Sequence, residues 1–379
     1  MPRLKSGQNF PRKQMVNRMV FHDSHCDTPS QIIRLRNLSA DNPYAHVDFP
    51  KLRKGGVDAA FFALYTSGTM APDAATRYAL EMLAGVYDAV EADSNVELAF
   101  SVSEALSNKA AGKTSIMIGM ENGLPIQENL GLLRMFYRMG VRYMTLTHNT
   151  DNQICDSAAQ GKKWHGLSPF GRQVVAEMNR LGMVVDLAHA SDETFYDCIR
   201  CSKAPVVSTH SCCRALASHR RNMTDDMLKA LAANGGVIQI NFYPLFLSDE
   251  FASVLDKSGL DPKADAVESE FIKDPSSPEK YKAWVDVQLE LEALKRPSYK
   301  VVVDHIDHAV QVAGIDHVGI GSDFDGINVT PEGLENASKM PIIFEEMRRR
   351  GYSESDIEKV AGGNFLRVMD EVAAVAKSY

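Results

Sequence analysis

The sequence predicts a (β/α)8 barrel of the TIM type, and three observations carry that expectation. Short apolar, β-branched runs alternate with amphipathic helical patterns along nearly the whole 379-residue chain. The runs are apolar throughout rather than at every second position, as strands buried on both faces of a parallel sheet are. About eight such β/α units fit this length, and the glycine-rich phosphate turn of a dinucleotide-binding sheet is absent after the first run.

In chain order, Met19-Val20-Phe21 leads into His22-Asp23-Ser24-His25-Cys26-Asp27 as the first strand. Alternation along it puts His25 and Asp27 on one face and Cys26 on the other. Val57–Tyr65, Ile116–Met120, Val141–Leu146, Met183–Leu187, Val206–Ser208, Val237–Ile240 and Val318–Ile320 supply the remaining barrel strands, with Val96–Phe100 as a further short candidate. Ser168-Pro169 reads as the N-cap and first turn of a helix that buries Phe170, Val174, Val175, Met178 and Leu181 and stops at Gly182. Thr224 caps another, through Leu228 and Leu231 to Asn234-Gly235.

From Ser248 to Lys300 the rhythm lapses into a charged stretch with several prolines. Ser277-Pro278 opens a helix with Tyr281, Trp284, Val285 and Leu289 on one side, so the stretch is folded. Because it follows Val237–Ile240, the seventh barrel strand, it belongs over the barrel mouth as a lid or side wall, or else forms a peripheral or oligomer-contact insertion. Helices from Pro341 onward close the domain. One domain over residues 1–379 is expected, with an insertion at about 248–300.

A net charge of −8 and the lack of a basic stripe beyond Arg3, Lys5, Arg12, Lys13 and Arg18 argue against a nucleic-acid partner. That opening segment lacks the apolar core of a signal peptide, and no run approaches the roughly 18 apolar residues of a membrane span. Six cysteines in a chain this long make no disulfide framework. Cys198-x-x-Cys201 and Cys212-Cys213 read as small buried residues rather than a structural zinc site. A cytoplasmic protein is expected, with export open if a signal segment precedes this sequence.

Chemistry collects at the strand ends. His25 and Asp27 end the first strand, Glu121 the run 116–120, His148 the run 141–147, His189 the run 184–188, His210 the run 206–209, and Asp323 and Asp325 the last. A barrel brings these ends to one rim, where active sites sit. Four of the eleven histidines meeting several acids there makes chance a poor explanation. Imidazole and carboxylate without thiolate suit Zn²⁺ or its borderline neighbours. Three histidines, an Asp and a Glu exceed what one open catalytic zinc takes, so two ions sharing a carboxylate are expected. Such a pair activates a bridging water for hydrolysis of an amide, ester or phosphate.

His22, His46, His165 and His219 have no assigned ligand role. His305 and His308, at i, i+3 on a helix, read as solvated or supporting residues, and Glu345-Glu346 as a solvated face.

Eight pieces occur in the order found in the membrane (renal) dipeptidase family. They are Asp23-Ser24-His25-Cys26-Asp27, Gly119-Met120-Glu121-Asn122-Gly123, Thr145-Leu146-Thr147-His148, Asp186-Leu187-Ala188-His189-Ala190-Ser191, Ser208-Thr209-His210-Ser211, Arg220-Arg221-Asn222, Asn241-Phe242-Tyr243 and Gly319-Ile320-Gly321-Ser322-Asp323-Phe324-Asp325-Gly326. The chain thus resembles that family of zinc-dependent dipeptidases, a branch of the amidohydrolase-like barrels. The resemblance implies that His25 and Asp27 bind one zinc, His189 and His210 the other, and that Glu121 bridges them. It implies that His148 stabilises the oxyanion, that Asp323 holds the bridging hydroxide and passes its proton to the leaving amine, and that Arg221 binds the substrate carboxylate. The residues alone leave Arg220 and Arg221 as alternatives, and only the family register favours Arg221. Tyr243 is expected to line the pocket. A homodimer acting on small dipeptides follows from the same likeness. The membrane anchor of animal members is not carried over. The alternatives are a related barrel hydrolase of acylated amino acids, lactones or phosphoesters, and a silent barrel that only binds.

Overall fold

The computed structural model describes residues 20–379, so the basic opening segment and Met19 lie outside the described residues. Among the described residues nine parallel strands form one sheet: β1 His22–Cys26, β2 Ala59–Tyr65, β3 Val96–Leu98, β4 Thr114–Glu121, β5 Val141–Thr145, β6 Val184–Asp186, β7 Val207–Ser211, β8 Val237–Ile240 and β9 Val318–Ile320. β3 pairs only with β4, and the other strands follow one another in chain order from β1 to β9. The expected barrel is therefore present. The expected runs Val237–Ile240 and Val318–Ile320 match their strands, whereas others differ by one to three residues at an end: Val57 and Leu146 are apolar but lie outside the ladder, and Thr114, Ser115 and Ser211 are polar but pair within it.

The ring closes without a regular ladder between β1 and β9. A single bridge joins Cys26 to Phe324. The Asp323 amide donates to the His25 carbonyl (3.0 Å), and the Asp27 amide to the Phe324 carbonyl (2.8 Å). The buried Asp23 carboxylate completes the seam, accepting from the Ser322 amide (2.9 Å) and the Ser322 hydroxyl (2.6 Å). A side chain here does what backbone pairing does elsewhere in the sheet.

Alternation along the strands separates two apolar layers. Ala60, Phe62 and Leu64 of β2 and Ile116, Ile118 and Met120 of β4 face the surrounding helices. Phe61, Met117 and Tyr143 face inward, and the C-terminal helix Asn364–Ala376 plugs the lower end with Phe365, Val368 and Val372. His22 sits in this plug, 4.9 Å from the Phe365 ring. Glu121 and Gly119 share the inward face with Met117, whereas Cys26 lies outward with its thiol on the Phe61 carbonyl (3.2 Å).

The capping signals act as read. Ser168 accepts from the Gly171 amide (2.9 Å), and Gly182 ends that helix at φ 82°. Thr224 accepts from Met227 (3.2 Å).

The insertion after β8 forms three helices, Asp249–Ser258, Leu260–Lys273 and Pro278–Glu292. In the last, Trp284, Val285, Val287 and Leu291 are buried, while Tyr281 and Leu289 are 44% and 48% exposed. The expected stripe is thus corrected: the helix pairs with Leu260–Lys273, and that neighbour claims an arc rotated toward Val287 and Leu291. Arg34 anchors the insertion to the rim through Glu268 (2.5 Å), and the Tyr243 hydroxyl reaches Asp261 (3.2 Å).

All six cysteines are free. Of the two readings of His305 the solvated one is corrected: it is fully buried, its Nδ1 taking the Cys213 amide (3.0 Å) and its Nε2 facing the Leu247 carbonyl (3.1 Å). Glu346 is likewise buried, held by Arg349 and Arg350, and only Glu345 faces solvent. Among the described residues no helix is long and apolar enough to cross a membrane.

Asp23→Ala strands the buried Ser322 amide at the seam and is expected to cost about 3 kcal/mol of stability. Urea unfolding of the metal-free protein checks this, and an unchanged midpoint would show that the seam does not depend on Asp23.

Candidate metal centre

The rim residues converge on the barrel axis because the strand ends depart from regular geometry. Register shifts fall between Asp23 and Cys26 in β1 and between Ser208 and Ser211 in β7, bracketing His25 and His210. Bulges of this kind re-aim side chains beside active sites. His189 and Asp323 adopt left-handed backbone (φ 67° and 62°), as does Asn122 directly after Glu121 (φ 75°). Such conformations are costly for non-glycine residues and collect where function requires them.

Asp27 occupies the N-cap of the helix Thr28–Ile33, yet its side chain makes no capping bond. Its Oδ1 is buried without a partner, and its Oδ2 lies 3.6 Å from His25 Nε2. Glu121 divides its oxygens. Oε2 faces His25 Nε2 (3.5 Å), and Oε1 faces His189 Nε2 (3.0 Å), His210 Nε2 (3.5 Å) and His148 Nε2 (3.9 Å). The Nε2 atoms of His189 and His210 are 2.9 Å apart. Two nitrogens on one tetrahedral ion at about 2.0–2.1 Å would stand roughly 3.3 Å apart, so the spacing needs little adjustment. Asp323 Oδ1 lies 4.0 Å from His25 Nε2, and its Oδ2 accepts from Asn241 Nδ2 (2.8 Å).

The electrostatics suit a cation. Burial disfavours the Asp27 carboxylate and pushes its pKa well up, and burial likewise lifts Asp323 to about 6. Burial also resists charge on Glu121, but His25, His189 and His210 outweigh it and hold the group well below its usual range. His25 feels the same burial, overcome by Glu121 and Asp27, which draw positive charge to it. Burial keeps His148 (about 4), His189 and His210 neutral, the form in which imidazole ligates. The orphaned His25 Nε2 and Asp27 Oδ1 are buried atoms aimed at a missing partner. With His25, Asp27 and Glu121, then Glu121, His148 and His189, then His25, His210 and Asp323, ligand atoms gather within 4.8 Å of one another, and a divalent metal fits the donor set.

Other expected residues sit as follows. Arg221 is 6% exposed beside the cluster, with one terminal nitrogen on the His210 carbonyl (3.3 Å) and Nε unpartnered, whereas Arg220 faces solvent. Tyr243 is half-buried on the insertion side of the rim, its amide on Asn241 Oδ1 (2.6 Å). Asp325 stands outside the cluster although it ends the same run: Arg36 (2.9 Å) and Thr28 (2.9 Å) take its two oxygens. His46 lends Nδ1 to the Asp325 amide (3.0 Å), His219 lends Nδ1 to the Arg221 amide (3.2 Å), and His165 is exposed.

The residues that hold the histidines are not ligand types and carry no strand-end signal of their own. His25 Nδ1 meets the Tyr143 hydroxyl (2.7 Å), and His189 Nδ1 meets Asn149 Oδ1 (3.1 Å). His210 Nδ1 meets Thr209 Oγ1 (2.9 Å), which itself donates to Asp186 (2.7 Å). Such partners fix the tautomer and ring plane of a ligand. Alternation from Thr145 would have placed Tyr143 on the inward face, and the motifs already contained Asn241, Thr209 and Asp186.

A family model described as membrane dipeptidase, peptidase family M19, matches residues 11–379. A relative, dipeptidase aclJ of Aspergillus oryzae, is 33% identical over 388 residues, covering 97% of this chain and 82% of that protein. The crystal structure of the probable dipeptidase PvdM from Pseudomonas aeruginosa is similar with a TM-score of 0.81 at 28% identity, covering 97% of this chain and 100% of that one. A metallopeptidase from Rhodobacter sphaeroides, liganded with a phosphinate mimic of the dipeptide L-Ala-D-Ala, shares the fold with a TM-score of 0.77 at 24% identity, over 93% of this chain and 99% of that one.

A Cβ on Gly326 would lie 1.9 Å from Asp27 Oδ2 and 2.7 Å from Asp323 Oδ1. Gly326→Ala is therefore expected to displace Asp27 and to weaken metal retention about 10-fold or more, read as metal loss against a competing chelator. Retention equal to that of the unmodified protein would mean that Asp27 is not held there as a ligand.

Proposed function

Because the chain belongs to the membrane dipeptidase family, peptidase family M19, we propose that this metal-dependent dipeptidase works with two divalent ions, zinc by the donor set. The observation that carries the binuclear reading is the division of Glu121: one oxygen toward His25, near Asp27, and the other toward His189 and His210. In this reading His25 and Asp27 hold one ion, His189 and His210 the other, and Glu121 is shared. Ions held there would supply Lewis acidity, acidifying the attacking water and offsetting charge on the scissile peptide oxygen. Membership of a dipeptidase family supports a reaction on peptide bonds.

The chain's own groups do the rest. Asn241 fixes one oxygen of Asp323 and leaves Oδ1 facing the cluster. Asp323 takes the proton of the attacking water at that oxygen and delivers it to the leaving amine nitrogen. Burial lifts its carboxyl to about 6, which makes it a stronger base for that proton than an ordinary carboxylate while leaving it ionised near neutral pH. His148, kept neutral and half-buried at the rim, donates from Nε2 to the oxygen on which charge develops. Arg221 presents a buried guanidinium with Nε free, suited to the free carboxylate of a dipeptide. Tyr243 closes the pocket toward the insertion.

Asp323→Asn should lower kcat by about 10²–10⁴ with metal content unchanged. Near wild-type turnover at saturating metal would remove Asp323 from the mechanism. Arg221→Ala should raise KM for dipeptides by roughly 10–100-fold and spare substrates whose C-terminus is amidated. Equal damage to both would dismiss the carboxylate clamp.

A further inference from the structure

Tyr143 stands on the inward face of β5, fully buried, with its hydroxyl 2.7 Å from His25 Nδ1. The two residues lie on strands separated by β2 and β4, so the contact crosses the barrel interior. Gly119 of β4, the register partner of Tyr143, makes the crossing possible: a Cβ there would lie 2.1 Å from the Tyr143 Cζ. Phe61 backs the ring on β2, with centroids 4.9 Å apart. The phenol is thus held on a fixed line to a single nitrogen.

That nitrogen decides what His25 can do. His25 Nε2 faces Asp27 and Glu121, so it must offer a lone pair there to bind a cation, and Nδ1 must then carry the proton. The Tyr143 oxygen is the acceptor in place for it. His189 and His210 are held at Nδ1 by other groups, Asn149 and Thr209, whereas the Tyr143 hydroxyl is hydrogen-bonded to His25.

We propose that Tyr143 is a positioning residue that sets the tautomer and ring plane of His25 and so controls the affinity of one ion of the pair, the one held by His25 and Asp27. The assignment rests on the binuclear reading above. Without the phenol, a proton on Nδ1 is buried with no acceptor. The imidazole then favours the Nε2–H tautomer, whose hydrogen bond to Glu121 or Asp27 competes directly with a cation.

The test challenges the zinc-loaded full-length protein with graded competing chelator. In Tyr143→Phe one of the two zinc equivalents should leave at about 10–100-fold weaker chelation, while the other stays within about threefold of the unmodified protein. Turnover lost with the first equivalent should return when zinc is added back. Unchanged retention of both equivalents would overturn the proposal, and so would equal weakening of both, which reports a loosened barrel instead. A single equivalent in the unmodified protein would overturn the binuclear reading itself, and this assignment with it. A measurement on the unmodified protein stands independently of the variant's folding: ¹⁵N shifts of zinc-loaded protein should report His25 protonated at Nδ1, and protonation at Nε2 would overturn the assignment.

Discussion

A carboxylate buried among imidazoles, Glu121 between His25 on one side and His189 with His210 on the other, is the interaction from which the rest of the structure takes its shape. Removing an ionised carboxylate from water is costly unless partners compensate it. Here burial is opposed by the surrounding histidines, which hold Glu121 ionised. The same burial raises Asp27 and Asp323, so the cluster gathers more acid than its own protons comfortably balance. A divalent cation relieves that imbalance, and the unpartnered His25 Nε2 and Asp27 Oδ1 mark where ligand atoms await it.

Holding such a cluster requires a frame that does not relax around it. The barrel supplies one through a closed ring, plugged below by Phe365, Val368 and Val372, and tied at its weakest seam by Asp23 and Ser322. Above the seam, Gly326 lets the turn after β9 pass against Asp27 and Asp323, and Asp325 is spent on Arg36 and Thr28 to fix that turn. Each imidazole is pinned from behind by a different group, Tyr143, Asn149 or Thr209. Left-handed backbone at His189 and Asp323 is the local cost of aiming side chains inward from the ends of strands.

Much of this was legible in the sequence because the signals were local and periodic. Parallel strands buried on both faces write themselves as apolar runs, and a barrel turns the residues after those runs into one rim. His25, Asp27, Glu121, His148, His189, His210 and Asp323 were all found by that rule. Asp325 met the same rule and stands outside the cluster, because its oxygens are taken by Arg36 and Thr28, which are remote in the chain. The choice between Arg220 and Arg221 was open to the residues alone, since burial separates them and spacing does not. His305, the helix Pro278–Glu292 and Glu346 were misread for one reason: burial on a helix is set by which neighbour packs on it, and that neighbour is remote in the chain. Tyr143 and Gly119 act on His25 only across the barrel, so no local pattern announces them.

The proposed activity requires two cations sharing one carboxylate. Crystals of the zinc-loaded protein measured at the zinc absorption edge test it most directly. Two anomalous peaks about 3.5–4 Å apart, with the Glu121 carboxylate between them, His25 and Asp27 on one peak and His189 and His210 on the other, are the predicted result. A single peak, or peaks away from Glu121, would contradict it.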